Sequence, residues 1–176
     1  MKKKIIITGG LGYIGTELCK LYSGVSWHHQ IIVIDNRFVS ERVNQLRNWN
    51  IEFVQGDILD INLVERLFAD ADIVHHLAGI TNVPRTKSES TEHQEKKIKE
   101  VGEKGTQNIL DVISDNCKIV FPSTHVVYEG IEEIKTDIKE NEETKPVLSY
   151  SSSKAVNEKQ LKDSGKNFVI LRLGSV

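Results

Sequence analysis

The sequence predicts a doubly wound α/β domain, a parallel sheet with helices on both faces. Three observations predict it. Short apolar runs alternate with longer stretches of helical period along the whole chain. The runs are nearly continuous rather than alternating in polarity, as expected for strands covered on both sides. The strand–helix–strand order then repeats, and right-handed crossovers turn that repeat into one parallel sheet.

The elements follow in order. Residues 4–8 are the first strand, and a glycine-rich turn leads into a helix over 13–23. Residues 30–35 form the second strand and 40–48 the next helix; 51–54 form the third strand, followed by a helix over 61–69. A fourth strand at 72–76 precedes one long helix over 90–114, whose charged run from Glu92 to Lys104 faces water. Its apolar side carries Ile98, Val101, Ile109 and Val112, which pack on the sheet. Residues 118–122 make the fifth strand and 168–173 the sixth, with a helix over 150–164 between them. The most polar stretch, 129–145, reads as a long surface loop, and such loops are commonly functional or mobile.

Composition bounds the rest. With 176 residues and 39% hydrophobic content, residues 1–176 read as one domain with one core. A net charge of −2 gives no electrostatic reason to expect a nucleic acid or an anionic membrane as partner. The basic run Lys2-Lys3-Lys4 precedes Ile5-Ile6-Ile7, but Thr8-Gly9-Gly10 follows at once, too early for a signal sequence. No stretch is long and apolar enough to span a bilayer. Cys19 and Cys117 have no metal-like spacing and read as small core residues, which suits a reducing, cytoplasmic setting. The last strand runs into Leu173-Gly174-Ser175-Val176 with no layer after it, so the expectation is a truncated domain whose substrate domain is missing.

The first strand enters Thr8-Gly9-Gly10-Leu11-Gly12-Tyr13-Ile14-Gly15 and then a helix. In a Rossmann-type turn of this kind Gly9 permits the bend, Gly12 admits a pyrophosphate to the backbone, and Gly15 brings helix and strand together. Glycines alone also fit an ordinary strand-to-helix turn. Asp35 adds weight: it ends the second strand 20 residues after Gly15, where a carboxylate accepts from both adenosine ribose hydroxyls. A 2′-phosphate would meet like charge there, so NAD is favoured over NADP, with Arg37 close enough to soften the preference. Asp57 either holds the adenine amino group or is a turn or N-cap aspartate.

Tyr150 and Lys154 stand four residues apart at a helix start, and so share one helix face. A nearby ammonium stabilises phenolate, which predicts a lowered Tyr150 pKa and a general base. Ser123-Thr124 stand at the carboxyl end of the fifth strand, on the edge where such sheets bind ligands.

From end to end the chain resembles the N-terminal portion of the extended short-chain dehydrogenase/reductase family, its NAD-dependent epimerase/dehydratase group. The matching pieces are Thr8 to Gly15, Asp35-Asn36, Gly56-Asp57, His76-Leu77-Ala78-Gly79, and Gly105-Thr106 with Asn108. Ser123-Thr124 ahead of Val127-Tyr128, Tyr150 to Lys154, and Leu171-Arg172-Leu173-Gly174 complete the set. The resemblance implies a catalytic trio of Thr124, Tyr150 and Lys154. It implies NAD contacts from Gly9, Gly12, Tyr13, Ile14 and Gly15, from Asp35, Asn36, Asp57 and Ile58, from Leu77, Ala78 and Gly79, and from Tyr150 and Lys154. A nucleotide-sugar substrate would meet Asn82, Arg85, Thr124 and Ser175. No metal is implied. Two copies pairing through the 90–114 and 150–164 helices would make a homodimer.

Departures narrow the reaction. Sugar 4,6-dehydratases of this family follow the catalytic threonine with Asp-Glu, and the related decarboxylases keep the glutamate; this chain has His125-Val126. Fucose-synthase-type enzymes place cysteine at the Val126 position. The segment Asn82-Val83-Pro84-Arg85 resembles UDP-sugar 4-epimerases, and epimerase is the first choice. A reductase or dehydratase of the same family, or a non-catalytic NAD-binding module, stand as alternatives. Gly102 replaces an asparagine usual in the family, and Ser175 another. His125 is a minority candidate for an acid or base. His75 and His76 read as core histidines, and His28-His29 as a solvated turn.

Overall fold

A computed structural model of the chain describes residues 1–81, 86–133 and 135–174. Six parallel strands form one sheet in the order β3-β2-β1-β4-β5-β6. They are β1 (Lys4–Thr8), β2 (Gln30–Asp35), β3 (Glu52–Gln55), β4 (Ile73–His76), β5 (Lys118–Thr124) and β6 (Asn167–Leu173). The helices are α1 (Tyr13–Ser23), α2 (Ser40–Asn48), α3 (Ile61–Phe68), α4 (Glu92–Lys99), α5 (Gly105–Val112) and α6 (Ser149–Asp163). This is the Rossmann-type arrangement expected. The chain leaves β1 for β2 on one side and later returns to β4 on the other, which opens a crevice at the strands' carboxyl ends.

Alternation along the central strands divides the core in two. Ile6, Ile34, Val74, Ile119 and Phe121 meet α3, α5 and α6 side chains on one face, with Cys117 among them. Ile5, Ile7, Ile31 and Val33 point the other way and pack with Val43, Leu46 and Cys19 from α1 and α2. Both cysteines are fully buried, which pushes their thiols up to about 12 for Cys19 and about 11 for Cys117. Helix starts are fixed locally: the Asp60 carboxylate accepts from Asn62 and Leu63 N–H groups at α3, and Thr91 with Gln94 forms a capping box at α4.

Several expectations need correction, three of them with a clear local cause. The third strand begins one residue later than read, because the Ile51 N–H donates to the Leu46 carbonyl and closes the end of α2 instead. The fifth strand runs through Pro122 to Thr124. Its pairing with β4 stops at Val120, so Pro122 forfeits no ladder bond on that side. The 90–114 segment is not one regular helix: a π-turn at Glu100–Lys104 separates α4 from α5. At Gly102 in that turn a Cβ would lie 2.4 Å from Ser153 Oγ, so α6 and the turn approach closely only without a side chain there. The Gly102 carbonyl accepts from Thr106 Oγ1 at 2.6 Å and from Asn157 Nδ2 at 3.1 Å.

Candidate functional site

A cleft of about 880 Å³ runs along the carboxyl edge of the sheet. One end is the turn after β1. Gly9 holds φ +64°, and a Cβ there would lie 2.8 Å from the Ala78 backbone nitrogen; a Cβ on Gly15 would lie 2.6 Å from the Gly9 carbonyl oxygen. The turn is thereby pressed between β1, β4 and α1, with Tyr13 and Ile14 on its solvent side.

Asp35 closes this end. Its carboxylate is buried at the end of β2; Oδ2 accepts from Leu11 N at 3.1 Å, and Oδ1 accepts from Arg37 N at 3.1 Å and Arg37 Nε at 3.3 Å. Asp57 lies beside it, accepting from Asn36 Nδ2 at 3.1 Å and from its own turn at Leu59 N at 3.0 Å. Asp57 is therefore a turn aspartate that also faces the cleft, and the helix N-cap is Asp60. Ile58 joins it on the wall; Asn108 Nδ2 donates to the Ile58 carbonyl, and Gly105 leaves room for its side chain.

Leu77, Ala78 and Gly79 follow β4 along the cleft floor. Beneath them lies a hydrogen-bond chain with one direction. Ala78 N–H donates to Thr8 Oγ1, Thr8 Oγ1 meets His76 Nδ1 at 2.9 Å, His76 Nε2 meets Thr106 Oγ1 at 3.0 Å, and Thr106 donates to the Gly102 carbonyl. Thr106 has spent its proton on that carbonyl, so His76 donates from Nε2 and accepts at Nδ1. Burial, reinforced by the Lys154 charge, pushes the His76 pKa down to about 3 and keeps this neutral tautomer. His75 meets the Tyr22 hydroxyl at 2.7 Å. His76 is a buried core residue with both nitrogens engaged, as read, whereas His75 is only half-buried and is engaged through Nε2.

At the other end Thr124, Tyr150 and Lys154 line the same cleft, with Pro122, Ser123, Leu173 and Gly174. Lys154 Nζ donates to the Pro122 carbonyl at 2.9 Å and sits 4.4 Å from the Phe121 ring centroid and 5.9 Å from that of Tyr150. Withdrawal from water pushes the Lys154 pKa down to about 8. The Tyr150 phenol shifts opposite to the expectation: burial raises it above its ordinary value. The ammonium is committed to a carbonyl and a neighbouring ring, so its stabilisation of phenolate does not offset the loss of hydration.

Sequence reasoning missed the groups that tie together the elements carrying these side chains. Glu158, one turn beyond Lys154 on α6, is buried; its carboxylate accepts from Ser123 Oγ at 2.6 Å and from Arg172 Nε and Nη2 at 2.9 and 2.6 Å. Ser123 and Arg172 are partners in the β5–β6 register. Arg172 Nη1 also donates to the Tyr128 hydroxyl and to the Glu140 carbonyl, tying down the polar loop. Glu129 covers the start of α6, accepting from Val147 N, Leu148 N and Ser151 Oγ. Helical spacing from Lys154 was the available signal for Glu158; nothing local marked Glu129. His125, beside Thr124, is not on the cleft wall: its Nδ1 meets the Leu173 carbonyl at 3.2 Å. His93, Gln94 and Lys97 of α4 add a polar wall that the sequence reading did not single out. Asn82, Arg85 and Ser175 lie outside the described residues. Among the described residues no group of three or more His, Cys, Asp or Glu is placed to hold a metal ion, and no helix is long and apolar enough to cross a membrane.

Comparison with known proteins places this geometry. Residues 5–176 match the family described as the NAD dependent epimerase/dehydratase family. The chain is similar to a dTDP-D-glucose 4,6-dehydratase of Dictyostelium discoideum, 31% identical over 94% of this chain and 41% of the relative. It is equally similar to a UDP-glucose 4-epimerase of Neisseria meningitidis serogroup C, 31% identical over 93% of this chain and 49% of the relative. Among solved structures, a UDP-glucose 4-epimerase from Brucella ovis in complex with NAD superposes with a TM-score of 0.79 at 28% identity, over 97% of this chain and 51% of that one. The chain thus spans about half the length, or less, of these relatives.

Proposed function

The chain belongs to the NAD dependent epimerase/dehydratase family, and on that premise we propose that it holds NAD and the catalytic side chains of a sugar-nucleotide epimerase, a UDP-sugar 4-epimerase. The observation that carries the reading is the single cleft joining the glycine turn and Asp35 to Thr124, Tyr150 and Lys154. Its shape fits the cofactor. Gly12 faces open space apart from the Gly9 carbonyl, so the amides at the start of α1 are reachable by a diphosphate. Asp35 would accept from the adenosine ribose hydroxyls, and Lys154 would reach the nicotinamide ribose. Bound there, NAD supplies the hydride acceptor and donor.

The chain's own residues supply position and proton handling. Thr124, at the end of β5, orients the sugar hydroxyl to be oxidised, and Tyr150 takes its proton. Burial keeps the Tyr150 proton on in the state described here. Base action requires the Lys154 charge to turn from the Pro122 carbonyl towards the phenol, a short movement for a side chain with four rotatable bonds. His125-Val126 after Thr124 supports epimerase over dehydratase, since neither side chain forms an acid/base pair for removing water. Two copies pairing through α4 and α6 are part of the same proposal, and a monomeric mass in solution counts against that part.

The test has two steps. Calorimetric titration of the 176-residue chain with NAD should give one saturable site, lost in Gly12→Val, whose side chain fills the diphosphate path. A polypeptide carrying these residues is then given UDP-glucose. Appearance of UDP-galactose without net NADH supports the reading. Stoichiometric oxidation of added NADH with a keto substrate favours a reductase, loss of water a dehydratase, and binding without turnover a non-catalytic module.

A further inference from the structure

The charges along the cleft are unevenly placed. Its only carboxylates among the described residues, Asp35 and Asp57, stand at the end where the adenosine would lie. Away from that end the lining holds Lys97, Lys154 and the imidazole of His93, with no carboxylate among them. Lys154 is committed to the Pro122 carbonyl. Lys97 is uncommitted: among the described residues it makes no hydrogen bond or ion pair, and Glu100, three positions on, does not pair with it. His93, one helical turn before Lys97 and on the same face of α4, is equally free. Their acidic and amide neighbours are turned away to the helix start. Gln94 Oε1 accepts from Thr91 N at 3.3 Å and from Thr91 Oγ1 at 3.0 Å, and Glu95 Oε1 accepts from Ser90 Oγ at 2.7 Å.

We propose that Lys97 and His93 form a second arm that closes over the diphosphate of a bound nucleotide, from the side opposite the α1 amides. The inference rests on the cofactor reading above and deepens it. The fold supplies the opposition. Val101, one turn beyond Lys97 on the cleft face, packs in the layer of Ile6 and Phe121, whereas α1 packs in the layer of Ile5 and Ile7. Ile98 is buried and anchors α4 beside the cleft, which leaves Lys97 and His93 exposed at its rim. The two arms do different work. The amides at the start of α1 are fixed dipoles, while Lys97 is a hydrated point charge on a long flexible stem. With the site empty the ammonium keeps its water; with a diphosphate present it makes a charge-assisted hydrogen bond. His93 carries at least one N–H donor in either protonation state. NAD and a sugar nucleotide both contain a diphosphate, so the chemistry named is common to cofactor and substrate. The charged run of this helix reads in sequence as a solvated face; the structure sets these two of its members on the cleft.

The experiment is calorimetric titration of the 176-residue chain with NAD, and of the NAD-saturated chain with UDP, each at two salt concentrations. Wild type is compared with Lys97→Met, Lys97→Arg and the double variant His93→Ala/Lys97→Met, with circular dichroism confirming that each is folded. Lys97→Met should weaken the ligand whose diphosphate it meets by at least about fivefold and flatten the salt dependence of that binding. Lys97→Arg should restore most of the affinity, and the double variant should bind more weakly than Lys97→Met. A loss with NAD assigns the arm to the cofactor, and a loss with UDP alone assigns it to the sugar nucleotide. Should the chain bind no UDP, the NAD titration decides by itself. A loss below about fivefold with every ligand bound, or a salt dependence that Lys97→Met leaves unchanged, overturns the inference while NAD binding stands. A folded wild-type chain that binds no NAD overturns the cofactor reading and this inference together.

Discussion

Replacing Glu158 by alanine removes one partner of a buried ion pair and leaves the other. The side chains of Glu158 and Arg172 are 3% and 12% exposed, and two of the three short hydrogen bonds on the carboxylate come from Arg172. Breaking such a pair from one side costs about 3–5 kcal/mol, chiefly from the charge left buried. Arg172 keeps the Tyr128 hydroxyl and the Glu140 carbonyl through Nη1, so the lower end of that range, about 3 kcal/mol, is the better figure. The contact to Lys162 at 3.6 Å adds little, because that lysine is exposed. For a domain of this size the loss corresponds to a fall in Tm of roughly 6 to 12 °C. Thermal unfolding by circular dichroism measures it, with Arg172→Met and the double variant completing a cycle. The double variant should lose much less than the sum of the singles, since it leaves no buried charge. A fall of under about 2 °C for Glu158→Ala, or strict additivity in the cycle, would refute the reasoning. The pH dependence has a definite sign. Burial alone would raise the Glu158 carboxyl, but Arg172 and Ser123 together hold it below its ordinary value. Its contribution is therefore complete above the unfolded pKa of about 4.3 and is lost as pH falls through the lower folded value.

Three further outcomes are expected. Gly9→Ala forces a Cβ onto a left-handed residue 2.8 Å from the Ala78 nitrogen; the backbone cost alone is about 1–2 kcal/mol, so Tm should fall by roughly 2 to 8 °C and NAD binding should disappear, and unaltered binding would contradict the packed turn. His76 has a folded pKa of about 3 against about 6.5 unfolded, so its neutral form stabilises fully above pH 6.5 and progressively less as pH falls. Urea midpoints measured from pH 7 to 4.5 should fall more steeply for wild type than for His76→Asn, and parallel curves count against the buried neutral imidazole. Lys154 should titrate near 8 in carbon NMR of the dimethylated protein, with that signal missing in Lys154→Met; a midpoint above about 10 would show that the ammonium is hydrated.

The strands were legible because parallel strands covered on both faces cannot alternate. Ile5-Ile6-Ile7 and Ile31-Ile32-Val33-Ile34 are apolar in both directions, and all seven are buried. The cleft was legible for a related reason, since a turn at a sheet edge is written in adjacent residues. What escaped depends on contacts between distant segments. The π-turn at Glu100–Lys104 keeps the helical period of its surroundings and is revealed only by the fit of Gly102 against Ser153. Glu158 looks like any exposed helical glutamate until β6 brings Arg172 beneath it. Spacing placed Tyr150 and Lys154 on one helix face, yet it carried no information about the Pro122 carbonyl that holds the ammonium, and the inferred direction of the Tyr150 shift was wrong for that reason.

The two cysteines give the molecule a pair of native clocks. Cys19 lies in the layer on one side of the sheet and Cys117 in the layer on the other, both sealed from solvent and both with thiols too weakly acidic to react while folded. A thiol reagent can modify either one only when its own layer opens. Labelling rates read residue by residue by mass spectrometry therefore time the opening of each side separately. Equal rates mean that the sheet and both helical layers come apart as one unit. A faster Cys19 would mean that α1, which follows the glycine turn, detaches while the layer carrying α6 stays closed, so that opening of the turn and unfolding would share a first step.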